Sequence, residues 1–183
     1  MISADEITGL GEQLLTMKPD VVPKFLILRD VLKLSPEDTQ YRKAKSDMTG
    51  SRWIRELAEE QQDNGSFGRF HTQDTKIKQK IPTTEWAITR GLGLGLSKTD
   101  EIIRKTIQHM EHLLNGKELP LDNEEHHYGF RIAFAYIIAS NLAKIDPMHP
   151  LLAPKRQACA ECAAGLSNPE VLSKRIGSWP AGS

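Results

Sequence analysis

Apolar residues recur along this chain at spacings of three and four, the period of an α-helix. The clearest stretch runs from Trp53 to Leu96. Trp53, Leu57 and Gln61 fall four apart, so they stack along one helix face. Asp63-Asn64-Gly65 stops that helix, because these residues tolerate the left-handed backbone that closes a turn. Phe67 and Phe70 follow and fold back onto the helix end. From Thr83 a second helix starts, with the Thr83-Thr84 pair as N-cap. Its wide apolar face is Ala87, Ile88, Gly91, Leu92, Gly95 and Leu96, and the two glycines let another helix come close.

The rest of the chain varies this theme. Ser3-Ala4-Asp5-Glu6 is a capping box opening a helix toward Met17. Pro19 and Pro23 punctuate the entry to the apolar segment Phe25–Leu32. Ser35-Pro36-Glu37-Asp38 predicts another start, with Ser35 as N-cap and Pro36 at the first helical position. Ser97 and Asp100 cap a helix with the stripe Ile103, Ile107, Met110 and Leu114, ended by Asn115-Gly116. On its wheel His112 falls opposite the stripe and His109 at the margin, which argues against a metal pair. A strongly apolar helix runs from Tyr128 to about Ala143, another from Asp146-Pro147 to near Gly165, and Asn168-Pro169-Glu170 opens a short last one. Period-two alternation never persists for a strand's length, so the fold class is all-α.

Composition narrows the partners. In 183 residues, 24 basic and 24 acidic side chains balance, so no electrostatic case exists for nucleic acid or an anionic membrane. No apolar run approaches the ~20 residues of a membrane span, and the N-terminus lacks a signal-peptide pattern. Two cysteines make no disulfide framework, and the expected location is cytoplasmic. The length suits a single all-α domain over 1–183, with N-terminal helices over 1–47.

The residues Trp53, Leu57, Gln61, Gly65 and Phe67 resemble the glutamine/aromatic repeat of squalene cyclases and protein prenyltransferases, whose fold is a toroid of α/α hairpins. In that family a Gln closes an outer helix, a Gly-rich turn carries an aromatic, and an inner helix often opens with Thr. Thr83, Thr84, Ala87, Leu94, Gly95, Leu96 and Asp100 fit the second part. Phe67 stands where Trp is usual, and Glu56 where an aromatic is common. The best-matching repeat covers 48–116 and a weaker one 117–183. Gly95-Leu96-Ser97-Lys98-Thr99-Asp100 also echoes Asn141-Leu142-Ala143-Lys144-Ile145-Asp146, a period of roughly 46–49 residues that suits a stacked hairpin unit. A closed ring of six hairpins needs on the order of 250–300 residues by that unit. The expectation is therefore a partial α/α toroid of roughly four hairpins, or a ring completed by a second copy or a partner protein.

Candidate chemistry is sparse. Cys159-Ala160-Glu161-Cys162 lies inside a helical pattern on the arc of Leu152 and Leu166, which suggests burial rather than redox or metal chemistry. Gly91-Leu92-Gly93-Leu94-Gly95 follows no strand and is not a dinucleotide loop, and no cofactor is expected. Gly9-Leu10-Gly11-Glu12-Gln13 resembles the thioester sequence of complement-like proteins, but Leu10 replaces the essential Cys. The loop 71–82, with Lys76, Lys78 and Lys80, reads first as a solvated loop and second as a lid or anion-holding loop. Asp122–His127 reads first as an acidic helix start and second as a general acid/base or metal site. The cyclase and prenyltransferase signatures D-x-D-D, D-D-x-x-D and D-x-C are missing from the sequence.

Two functions follow from the resemblance. The first is a non-catalytic module whose concave groove binds an apolar or prenyl-type small molecule or a partner protein. The second is an enzyme or enzyme subunit of prenyl or terpenoid chemistry. A ligand's polar head would meet the inner-helix starts, where Glu85, Trp86, His127, Tyr128 and Arg131 are the candidate contacts.

Overall fold

The computed structural model describes residues 3–71, 80–119, 128–154 and 156–157, with the backbone alone for 128–132. Among the described residues the regular structure is helical throughout and no strand occurs. Seven α-helices follow in order: α1 Ala4–Thr16, α2 Val21–Leu26, α3 Thr39–Thr49, α4 Arg52–Glu60, α5 Thr84–Gly93, α6 Glu101–Leu114 and α7 Tyr128–Ile145. A 3-10 turn, Pro150–Leu152, comes after α7.

Several caps form as their residue types dictate. Ser3 Oγ accepts from Glu6 N at 3.2 Å while Ser3 N donates to Glu6 Oε2 at 2.7 Å, a complete capping box. Thr83 Oγ1 accepts from Trp86 N at the start of α5. Gly116 (φ +68) closes α6, its N–H bonding Leu113 O while Lys117 N bonds His112 O.

The structure differs from the sequence pattern in four places. Asp100 stands at the start of α6 but caps no helix N–H, because its carboxylate accepts from Ser97 N at 2.7 Å and Lys45 Nζ at 2.8 Å. Ser35 does not cap α3, because its Oγ takes the N–H of Glu37 in a local turn. Asp38 caps instead, accepting from Gln40 N at 2.6 Å and Tyr41 N at 3.4 Å. The apolar segment after α2 widens into a π turn over Ile27–Val31, closed by Leu32 N on Ile27 O, rather than continuing as α-helix. And α5 stops at Gly93, so Gly95 is no helix-face residue. It sits just past the helix end at φ +98, with its N–H on Leu92 O and Leu96 N on Gly91 O. A Cβ there would lie 2.9 Å from the Phe25 ring, so only Gly lets this turn seat on α2. Gly91 does allow close approach, since a Cβ would meet Ile103 of α6 at 3.2 Å.

The core has two adjoining parts. Phe25, Met48, Leu57, Phe67 and Ile103 anchor the first, between α2, α3, α4 and α6. Phe70, Ile88, Met110, Ile138 and Leu142 anchor the second, between α5, α6 and α7. Ile107 and Ile145 pack against both. The turn after α4 fixes the relation between the two. Gln61 Nε2 reaches Gly65 O (3.1 Å), Ile102 O (2.9 Å) and Thr106 Oγ1 (3.0 Å), tying α4's end, the turn and α6 together. The echo between Gly95–Asp100 and Asn141–Asp146 is not an echo of conformation. The first leaves a helix end through a turn, whereas Asn141–Ile145 completes α7.

Candidate functional site

The entry to α5 is lashed to the chain that follows the Gly65 turn. Phe67 N donates to Thr84 Oγ1 at 2.9 Å, Thr84 N to Arg69 O at 2.9 Å, and Glu85 N to Phe70 O at 3.0 Å. These bonds bring His71 beside Glu85, with His71 Nδ1 2.6 Å from Glu85 Oε2. From the other side Asn141 Nδ2, fully buried on α7, donates to Glu85 Oε1 at 3.0 Å, and Lys144 Nζ donates to Asn141 Oδ1 at 3.0 Å. The result is a polar line, His71–Glu85–Asn141–Lys144, crossing from the loop through α5 to α7. Burial pushes the Glu85 carboxyl up. Hydrogen bonds from Asn141 and His71 and the positive charge of Lys144 outweigh that and hold it below the usual carboxylate range.

One residue further on, α5 faces a different environment. Trp86 is 43% exposed, too open for a ring that merely packs between helices. Arg90, one turn later, places its guanidinium 5.3 Å from the Trp86 ring and 5.8 Å from the Trp53 ring on α4. Arg52 covers Trp53 at 4.0 Å. Glu56 fixes Arg90 through an ion pair and reaches Lys80 at 3.4 Å. Its carboxyl lies below its ordinary value, chiefly because of the Arg90 hydrogen bond. Beside this stack opens a cavity of about 360 Å³, lined by Arg52, Trp53, Arg55, Glu56, Glu59 and Lys80. Its lining is three cations and two acids around an indole, a surface able to hold a flat or apolar body with an anionic end.

A second polar cluster sits at the end of α6. His109 Nδ1 and His112 Nδ1 lie 2.7 and 2.9 Å from the two oxygens of Glu118, and His149 Nε2 lies 3.1 Å from Glu111 Oε1. His109 is buried, so the wheel placed it too near the margin. Among the described residues no group of three or more His, Cys, Asp or Glu is arranged to hold a metal ion.

Of the residues expected from sequence, Glu85 and Trp86 stand side by side but serve separate sites, the polar line and the tryptophan stack. His127 lies outside the described residues, as do Cys159, Cys162, Lys76, Lys78 and the Asp122–His127 run. Tyr128 and Arg131 belong to α7, which packs on α5, but their side chains are outside the described residues. Sequence reasoning missed His71, Arg90, Asn141 and Lys144. Arg90 had a signal, since it falls one turn after Trp86. Asn141 had none, because its partner lies 56 residues away. No helix among the described residues is long and apolar enough to cross a membrane. Against protein-family models, curated proteins and solved structures, the chain finds no match.

Proposed function

We propose that this chain is a non-catalytic helical-repeat module that binds an apolar or prenyl-type small molecule carrying an anionic head. The observation that carries the reading is the Trp53–Arg90–Trp86 stack, a half-buried and an exposed indole held by an arginine that Glu56 fixes in place. The rings supply apolar contact at low entropic cost, and Arg52, Arg55 and Lys80 supply donors for a phosphate or carboxylate. The same reading takes the architecture as a partial α/α toroid of the prenyltransferase and squalene-cyclase kind, working in the cytoplasm. It is supported by the Gln61 lock, in which an outer-helix glutamine holds a glycine turn against the next hairpin. Titration with geranyl diphosphate and with myristate, followed by Trp fluorescence, tests it. Saturable quenching that weakens about tenfold in Trp86→Ala, or ~1.4 kcal/mol, is the expected result. No saturable change at up to roughly millimolar ligand, where binding is worth only about 4 kcal/mol, ends the proposal.

One observation favours an enzyme instead. The 2.6 Å contact between His71 and Glu85 is the arrangement by which a carboxylate orients an imidazole for proton transfer. On that reading His71→Ala abolishes turnover of a prenyl diphosphate while leaving its binding unchanged. On the module reading the wild type turns nothing over.

A further inference from the structure

A second cavity, of about 550 Å³, runs along α6. Arg104, Ile107, Gln108, Glu111, His112 and Asn115 line it at alternating spacings of three and one, which is a single face of the helix. Lys117, just past the helix end, lines it too, and His149 and Leu151 supply a wall from the chain after α7. A space of this size, part apolar and part polar, is that of a small-molecule site. It shares no residue with the Trp53 cavity, so the inference is independent of the ligand reading above.

The charges along this face differ in whether they already have partners. Asp100 and Glu101, the acids next to Arg104 in sequence, are held by Lys45 at 2.8 Å and Lys105 at 3.3 Å. Glu118, next to Lys117, gives its two oxygens to His109 and His112. Arg104 and Lys117 are thus left without an acid partner among the described residues. Between them stands Glu111, bonded by His149 Nε2 at 3.1 Å, while His149 Nδ1 accepts from Leu151 N at 3.4 Å. The Glu111 carboxylate disfavours an anion at the middle of the groove, and the unpaired cation at each end favours one there. Each end pairs one cation with one amide, Arg104 with Gln108 and Lys117 with Asn115. That set suits a carboxylate, which carries one charge and two acceptor oxygens. From Arg104 to Asn115 the helix advances about 16 Å, with Ile107 and Leu151 offering apolar contact along the way. We infer that this groove binds an elongated small molecule with a carboxylate at each end and an apolar chain between.

The test titrates the full chain with dodecanedioate, whose extended chain is close to that span, and follows the imidazole C–H signals of His112 and His149 by NMR. Succinate, too short to reach both ends, is the control. The expected result is saturable movement with dodecanedioate at up to roughly millimolar concentration, and none with succinate. Arg104→Gln and Lys117→Gln should each weaken binding about fivefold, the loss of one exposed ion pair. The two losses multiply in the double variant, because the ends lie too far apart to couple. Both side chains are exposed, so the variants keep the fold, which circular dichroism checks. Binding that survives both substitutions unchanged overturns the inference, as does equal binding of succinate. So does the absence of imidazole movement, and movement of the Trp53 and Trp86 indole signals in its place assigns the diacid to the other cavity.

Discussion

A Cβ on Gly65 would lie 2.5 Å from the carbonyl carbon of Lys105 and closer still to its oxygen, so the turn after α4 rests directly on the backbone of α6. Gly65 also holds φ at +86°, where side-chain-bearing residues are strained. Gly65→Ala therefore meets both a steric and a conformational cost. It should destabilise the fold by at least about 2 kcal/mol, read as a lower urea midpoint with an unchanged slope. An unchanged midpoint would show that the turn does not seat on α6.

Gln61 completes that junction. Replacing it with Leu leaves the carbonyls of Gly65 and Ile102 without its amide donor, at a cost of about 1–3 kcal/mol. Thr106 Oγ1 lies within bonding distance of the same two carbonyls, so Gln61→Leu and Thr106→Val should be non-additive in a double-mutant cycle. Additive losses would mean that the two side chains act separately.

This junction is also where sequence and structure agree most closely. Trp53, Leu57, Gln61, Gly65 and Phe67 are local signals, since the helix face, its stop and the returning aromatic are set within a few residues, although Gln61 and Gly65 also seat on α6. The caps at Ser3, Thr83 and Gly116 are legible for the same reason. The failures have physical causes. Asp38 outcompetes Ser35 because one carboxylate oxygen reaches two backbone N–H groups. The apolar pattern runs past the end of α5 because Leu96 stays buried after the chain has left the helix. The candidate site is only half legible. Trp86 announces itself, but the meetings of Arg90 with Trp53 and of Glu85 with Asn141 depend on which helices become neighbours.

Asn141 should matter beyond its size. It is fully buried and gives Glu85 a donor that helps keep the carboxylate ionised. Asn141→Ala should cost about 1–3 kcal/mol and raise the Glu85 pKa, observable as a shifted side-chain carboxyl titration by NMR. A titration identical to wild type would show that Asn141 does not tune this group.

Acid should weaken the fold in a defined window. Burial raises the Glu118 carboxyl, but bonds from His112 and His109 outweigh it, so its folded pKa lies below the ordinary 4.5. Glu85 is lowered likewise. A group with a depressed folded pKa binds its proton more readily when unfolded. Its stabilisation is present above the ordinary value and drains away as pH falls from there through the folded one. Unfolding free energy measured from pH 6 downward should therefore fall below about pH 5, and the fall should be shallower in Glu118→Gln. Parallel curves for variant and wild type would remove Glu118 from the account.

The claim that the Trp53–Arg90–Trp86 surface binds ligand is tested most directly by the indole N–H resonances in a ¹H–¹⁵N spectrum during titration with geranyl diphosphate. The account predicts that the Trp53 and Trp86 signals move together along one saturation curve, and that Trp86→Ala weakens the movement of Trp53. Signals of Trp53 and Trp86 that stay in place up to roughly millimolar ligand would contradict it.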